Sequence, residues 1–221
     1  MAINIKRDYT AKHMSNGART PVGIVLHDTA GSGTINDVKY LANPGDGRQV
    51  SVDFVVTRDG GIYQLNPDLK NHWTYHAGRA TKFKGFTNGS VNKATVGIEI
   101  SQKANLSLKP LYPGAQVQAV AELCAYLCKM FNLKKEDITT HANIITDGSR
   151  SDPRQFPFAD FYNLFNAAGG QKPTTYTVVA GDTLYALAKK YGTTIEEIKK
   201  LNMMNTASNA ITVGQKLVVK A

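Results

Sequence analysis

The chain is sparing with the residues that build covalent or membrane-anchored scaffolds. Its 221 residues include two cysteines, Cys124 and Cys128, and one tryptophan, Trp73. The cysteines sit one helical turn apart in an apolar pattern, where a disulfide has poor geometry. They read as a pair of buried thiols, which excludes a disulfide-stapled fold, and two thiols alone make a poor metal site. No apolar run is long enough to span a bilayer, so no membrane insertion is expected. The segment Met1 to Arg7 leads into polar residues, not into the apolar core of a secretory signal. No five basic residues stand in a row, although Lys and Arg outnumber Asp and Glu by 26 to 17, giving +9. That balance favours polyanionic partners: nucleic acid, anionic membrane, or bacterial wall. The scattering of the charge speaks against a nucleic-acid tail.

What the chain does have is a division into two parts. Hydrophobic residues make up 42%, enough for a packed core. Ala167-Ala-Gly-Gly-Gln-Lys-Pro-Thr174 is rich in Gly, Pro and small polar residues and reads as a linker. The expected organisation is a domain over 1–168, a linker over 169–174 and a small domain over 175–221. In the first, Val22 to Leu26 is a continuous apolar run delivering His27 at its end, as a buried strand would. Val52–Thr57 and Ile62–Leu65 flank Arg58-Asp-Gly-Gly61 as a β-hairpin. Val96-Gly-Ile-Glu-Ile100 reads as a further central strand carrying one acid, Glu99. Val117, Val120, Cys124, Leu127 and Phe131 fall at helical spacing. The fold class expected is α/β, a mixed central sheet flanked by helices. The small domain reads as βααβ. A strand over Tyr176–Val179 precedes a helix from Thr183 to Tyr191, with Asp182 as its cap and Gly192 at its C-terminal end. Thr194-Ile-Glu-Glu197 fits a capping box for a second helix, and Gln215–Val219 closes the unit.

Five histidines are present. Two of them, His27 and His141, with Asp152, offer two imidazoles and a carboxylate, a plausible catalytic zinc set with one position open. Zinc in such a set polarises a carbonyl and acidifies a water. Spacing alone argues weakly, for there is no His-Glu-x-x-His helix. Taken singly, each histidine reads as well as a hydrogen-bonded structural residue, and Asp152 before Pro153 as a turn former.

Five segments taken together resemble the N-acetylmuramoyl-L-alanine amidase type 2 family over about Pro21 to Phe165. They are Gly23-Ile-Val-Leu-His-Asp-Thr29, Phe54-Val-Val-Thr-Arg-Asp-Gly60 with Ile62-Tyr-Gln64, Tyr75-His-Ala-Gly78, Val96-Gly-Ile-Glu-Ile100, and Thr140-His-Ala-Asn-Ile144 with Asp152-Pro153. The resemblance implies that His27, His141 and Asp152 hold Zn2+. It implies that Glu99 is the general base toward the attacking water. Arg150 stands where relatives often carry a lysine that steadies the oxyanion; it keeps the charge with a different donor geometry. Some relatives use a tyrosine just before the hairpin strand, and Ser51-Val-Asp53 offers none. His76 is the histidine expected to contact substrate, with a structural role as the alternative. His13 and His72 receive no role.

The C-terminal part resembles the LysM module from Tyr176 to Val219. The match is carried by Tyr176-Thr-Val-Val-Ala-Gly-Asp-Thr-Leu184, Ile195-Glu-Glu-Ile-Lys-Lys-Leu-Asn202 and Val213-Gly-Gln-Lys-Leu217. It implies binding of N-acetylglucosamine-containing glycan between Gly181, Asp182, Thr183 and Leu184 on one side and Asn209 and Ile211 on the other. Together the two resemblances imply a peptidoglycan hydrolase that cuts the bond between N-acetylmuramic acid and L-alanine of the stem peptide. A phage or prophage endolysin fits, made in the host cytoplasm without a Sec signal and acting on the wall after release. The alternatives are a non-catalytic peptidoglycan receptor, an amidase of small muropeptides and, on charge alone, a nucleic-acid binder.

Overall fold

In the computed structural model, which describes residues 3–169, 174–202, 204 and 208–220, the chain forms two units, Met1–Gly170 and Gln171–Ala221. The linker expected over 169–174 lies, except for its two ends, outside the described residues. The first unit runs β1 (Ile5–Lys6), β2 (Met14–Asn16), β3 (Gly23–Asp28), α1 (Ile35–Ala42), β4 (Phe54–Val56), β5 (Ile62–Gln64), β6 (His72–Thr74), β7 (Lys82–Phe83), β8 (Phe86–Thr87), α2 (Gly89–Ala94), β9 (Thr95–Ile100), α3 (Gly114–Phe131), β10 (Ile138–Thr140), α4 (His141–Ile144) and α5 (Phe158–Ala167).

Six of these strands form one sheet in the order β1-β5-β4-β9-β3-β10. The β4/β5 hairpin is antiparallel and the other pairings are parallel. Parallel strands covered on both faces are apolar throughout, and β3 is buried at every position. Side chains alternate between the two faces. Ile24, Leu26, Phe54, Val56, Val96, Ile98 and Ile100 enter one core with Val117, Val120, Cys124 and Leu127 of α3 and with Phe161 and Phe165 of α5. The α3 stripe predicted from spacing is therefore the one that meets the sheet, and each fully buried aliphatic side chain contributes about 1.5–3 kcal/mol. Asn132, in the left-handed region at φ 54, ends that helix.

The opposite face carries Val25 and Val55, which pack in smaller clusters with Val38 and Leu41 of α1, Ala77, Val91 and Ile144. It also carries the polar members of the same alternation, His27 and Glu99. An ion pair beneath this face ties its elements together. Arg19 donates to Asp53 Oδ1 at 2.9 Å with both side chains fully buried. Asp53 also accepts from Asn66 Nδ2 and from the backbone N–H of Gly97. The Ser51-Val52-Asp53 stretch is thus structural here.

The second unit contains β11 (Thr174–Thr177), α6 (Leu184–Tyr191), α7 (Ile195–Leu201) and β12 (Lys216–Lys220), with β11 and β12 antiparallel. Its core is Val178, Leu184, Leu187, Ala188, Ile198, Leu217 and Val219. One expected detail differs: Thr183, not Asp182, caps α6, its hydroxyl accepting from Ala186 N. The Asp182 carboxylate turns back to accept from Val179 N at 2.7 Å. The two residues are both good caps, and the loop's own turn takes the aspartate. Among the described residues, no helix is long and apolar enough to cross a membrane.

Candidate active site

Parallel strands of an α/β sheet present their C-terminal ends to one crevice, where sites are commonly built. Here β3 ends on His27 and Asp28, and β9 places Glu99 in register with His27. β10, paired with β3, ends at Thr140, so that His141 is the first residue of α4. The Thr140 hydroxyl accepts from Asn143 N and fixes this turn. Asp152 arrives from the following loop, whose backbone is fastened by Ala142 N donating to Asp152 O at 3.0 Å.

These placements bring His27, His141 and Asp152 together, with one donor atom of each within 4.8 Å of the others. Nδ1 of His27 and Nδ1 of His141 each stand 3.2 Å from Asp152 Oδ2. Two ligands about 2.0–2.2 Å from a tetrahedral zinc lie roughly 3.3–3.5 Å apart, so the spacing fits that ion. The donor set fits as well. Nε2 of His141 faces the Ala77 carbonyl at 3.1 Å; a carbonyl only accepts, so this nitrogen carries the proton and Nδ1 presents a lone pair to the carboxylate. Burial lowers the pKa of His27 and so keeps its ring neutral, although Asp152 pulls the other way. Two imidazoles converging on a carboxylate are a set that a divalent cation completes.

Glu99 is partly exposed as a residue, but its Oε2 is buried and has no hydrogen-bond partner among the described residues. Its pKa lies well above the ordinary value, first through desolvation and then through the charges of Asp152, Asp28 and Asp37. Arg150 is exposed and close enough that its charge draws both Glu99 and His27 downward. His76 stands beside His27. It is 6% exposed, with Nδ1 3.1 Å from His27 Nε2 and Nε2 3.2 Å from Thr95 Oγ1. The ring stands behind His27 with both nitrogens engaged. A cavity of about 840 Å³ lies away from this chemistry, between the N-terminal segment and α3 and α5, and is lined by Ile3, Tyr126 and Leu164 among others. Volume is therefore a poor guide to the site.

Two further residues bind the site together, and nothing in the sequence signals that they pair. Arg154 donates to Asp28 from its backbone N at 2.7 Å, from Nε at 2.9 Å and from Nη2 at 2.5 Å. The Asp28 side chain is fully buried. This pair joins the residue after His27 to the loop that carries Asp152. In the second unit, Leu184 is 1% exposed and belongs to the core, and Ile211 packs against that core. Thr183 is exposed but committed as a cap, whereas Gly181, at φ 90, and Asn209 are exposed.

The sequence profile of the N-acetylmuramoyl-L-alanine amidase family matches residues 17–155, and that of the LysM domain residues 176–220. N-acetylmuramoyl-L-alanine amidase XlyA of Bacillus subtilis (strain 168) is 32% identical over 99% of this chain and 69% of its own length. The solved catalytic domain of XlyA is 26% identical, with a TM-score of 0.53 over 75% of this chain and 99% of that one. A mutant endolysin from Bacillus subtilis is 25% identical, with a TM-score of 0.53 over 76% and 99%.

Proposed function

The chain belongs to the N-acetylmuramoyl-L-alanine amidase family, and from that premise we propose that it is a zinc-dependent endolysin-type enzyme. It cleaves the amide between the lactyl group of N-acetylmuramic acid and L-alanine in bacterial walls. The observation that carries the metal reading is the convergence of His27 Nδ1, His141 Nδ1 and Asp152 Oδ2 at 3.2 Å spacings. Zinc held there would supply Lewis acidity, polarising the scissile carbonyl and acidifying a water.

The chain's own residues do the rest. Glu99, in register with His27 on the neighbouring strand, takes the proton of the attacking water. Its raised proton affinity suits a base that later hands the proton to the departing alanine nitrogen. Arg150 brings positive charge to the same crevice and steadies the negative charge that develops on the carbonyl oxygen. Asp28 and Arg154 hold the Asp152 loop against β3. The LysM unit holds glycan, through Gly181, Asp182 and Thr183 on one loop and Asn209 and Ile211 on the other, while buried Leu184 supports the loop from beneath. That contact keeps the enzyme at the wall and raises its local concentration there.

The test is metal analysis of the purified full chain beside His27→Ala, His141→Ala and Asp152→Ala. About one zinc per chain, lost in each variant together with lytic activity, is expected. Undiminished lysis in excess chelator, or in Asp152→Ala, would remove the metal from the mechanism.

A further inference from the structure

Each imidazole of the proposed metal set has a second nitrogen to satisfy, and one dipeptide, His76-Ala77, meets both. The Ala77 carbonyl receives the Nε2 proton of His141. His76 receives His27, through a chain of hydrogen bonds whose direction can be worked out from its far end. The Val91 carbonyl only accepts, and Thr95 Oγ1 donates to it at 2.7 Å. With that proton committed, Thr95 Oγ1 is the acceptor for His76 Nε2, 3.2 Å away. The His76 proton is therefore on Nε2, and Nδ1 is a lone pair. That lone pair accepts from His27 Nε2 at 3.1 Å, which leaves His27 Nδ1 bare on the side of Asp152.

Resting on the metal reading above, we propose that His76 is a positioning residue that fixes His27 as its Nε2–H tautomer, with Thr95 as the anchor of the chain. The backbone holds the ring to this task. Asn92 Oδ1 accepts from His76 N at 3.0 Å and from Ala77 N at 2.7 Å. The ring lies against Gly97, where a Cβ would stand 2.8 Å from both Cδ2 and Nδ1 of His76 and closer still to Cγ. Histidine suits the place because it offers an acceptor toward His27 and a donor toward Thr95 across one rigid ring. Partners of this kind raise ligand basicity and orient the ligating ring.

The experiment uses the full chain, metal-free and ¹⁵N-labelled at histidine, with zinc affinity measured in parallel by chelator competition. Wild-type His27 shows the Nε2–H signature before any metal is added. His76→Leu, which cannot accept, gives a mixture of tautomers and binds zinc roughly 10–100-fold more weakly, the loss typical of such outer partners. His76→Asn, whose amide oxygen reaches the Nδ1 position, recovers most of that affinity. Thr95→Val leaves His27 untouched, severs the far end and weakens zinc in the same direction. Trp73 fluorescence checks that each variant is folded. A wild-type His27 protonated on Nδ1, or His76→Leu with unchanged tautomer and zinc affinity, overturns the proposal. A wild type with the expected signature that takes up no zinc overturns the metal reading and the positioning role with it. The spectrum, which needs no metal, tells the two failures apart.

Discussion

Asp28 and Arg154 give the sharpest energetic prediction, because they close a long loop of chain at the edge of the site. Asp28 is fully buried and accepts from Arg154 N, Nε and Nη2, and also from Ala30 N. Breaking a buried ion pair by removing one partner costs about 3–5 kcal/mol. In Arg154→Met the two backbone N–H groups still reach the carboxylate, and the arginine side chain was 24% exposed to begin with. The expected loss is therefore at or below the lower end, about 2–3 kcal/mol. At about 2–4 °C per kcal/mol for a unit of this size, the Tm falls by about 4–12 °C. Asp28→Asn strands the guanidinium in the same way and gives a loss of similar size. The assay is thermal and urea unfolding followed by Trp73 fluorescence, in excess chelator so that metal linkage does not enter. The single tryptophan lies in the first unit, so the signal reports that unit alone. In the double variant the losses do not add; a coupling of about 1–3 kcal/mol is expected for neighbours sharing a contact. Single losses below about 0.5 kcal/mol, the range of ordinary surface substitutions, or losses that simply add, would show that the Asp152 loop is held by something else.

Glu99→Gln should lower turnover by about 10²–10⁴-fold, as expected for a general base, while zinc binding is retained. In the metal-free protein the same substitution should stabilise. Folded Glu99 holds its proton above the ordinary value of 4.5, so its contribution is fully present below about pH 4.5 and is lost as pH rises toward the raised value. The Tm gap between Glu99→Gln and wild type should then widen from pH 5 to pH 8; a gap that narrows would mean the carboxyl is ionised in the metal-free fold. Asp53→Ala leaves the buried Arg19 guanidinium unpaired and should destabilise the first unit by about 3–5 kcal/mol, read by urea unfolding. Gly97→Ala forces the His76 ring back by roughly 1 Å to reach ordinary contact distance, and should weaken zinc in chelator competition without abolishing folding. Removal of residues 171–221 should spare hydrolysis of small soluble muropeptides and reduce lysis of intact walls by about 10²-fold or more, as loss of a tether does.

Much of the site was legible because it obeys strand and motif rules. The apolar run 22–26 predicts a buried strand that ends on a histidine, and β3 carries His27 one residue before its end at Asp28. The lone acid in 96–100 falls in register with that histidine because both strands run parallel with period two. His141 and Asp152 could be paired with His27 only by likeness to a family, since no local periodicity links them. The Asp28–Arg154 pair spans 126 positions and has no pattern at either end, so only the closed fold reveals it. His76 is a similar case. Tyr75-His-Ala-Gly78 signals an important histidine but does not say whether it faces the cleft or the back of His27. Gly97, which leaves room for the ring, decides that. At Asp182 and Thr183 two adjacent residues compete for one cap, and the outcome depends on a turn that propensity does not encode.

Under the proposed function, the chain cuts a single amide bond with a zinc ion held by His27, His141 and Asp152. Mass spectrometry of purified Gram-positive walls, digested by the full chain with and without chelator, tests it most directly. Free stem peptides beginning with L-alanine and glycan strands left intact are the predicted products, abolished by chelation and restored by zinc. New sugar ends or cross-bridge fragments released in the presence of chelator would contradict both the bond and the metal.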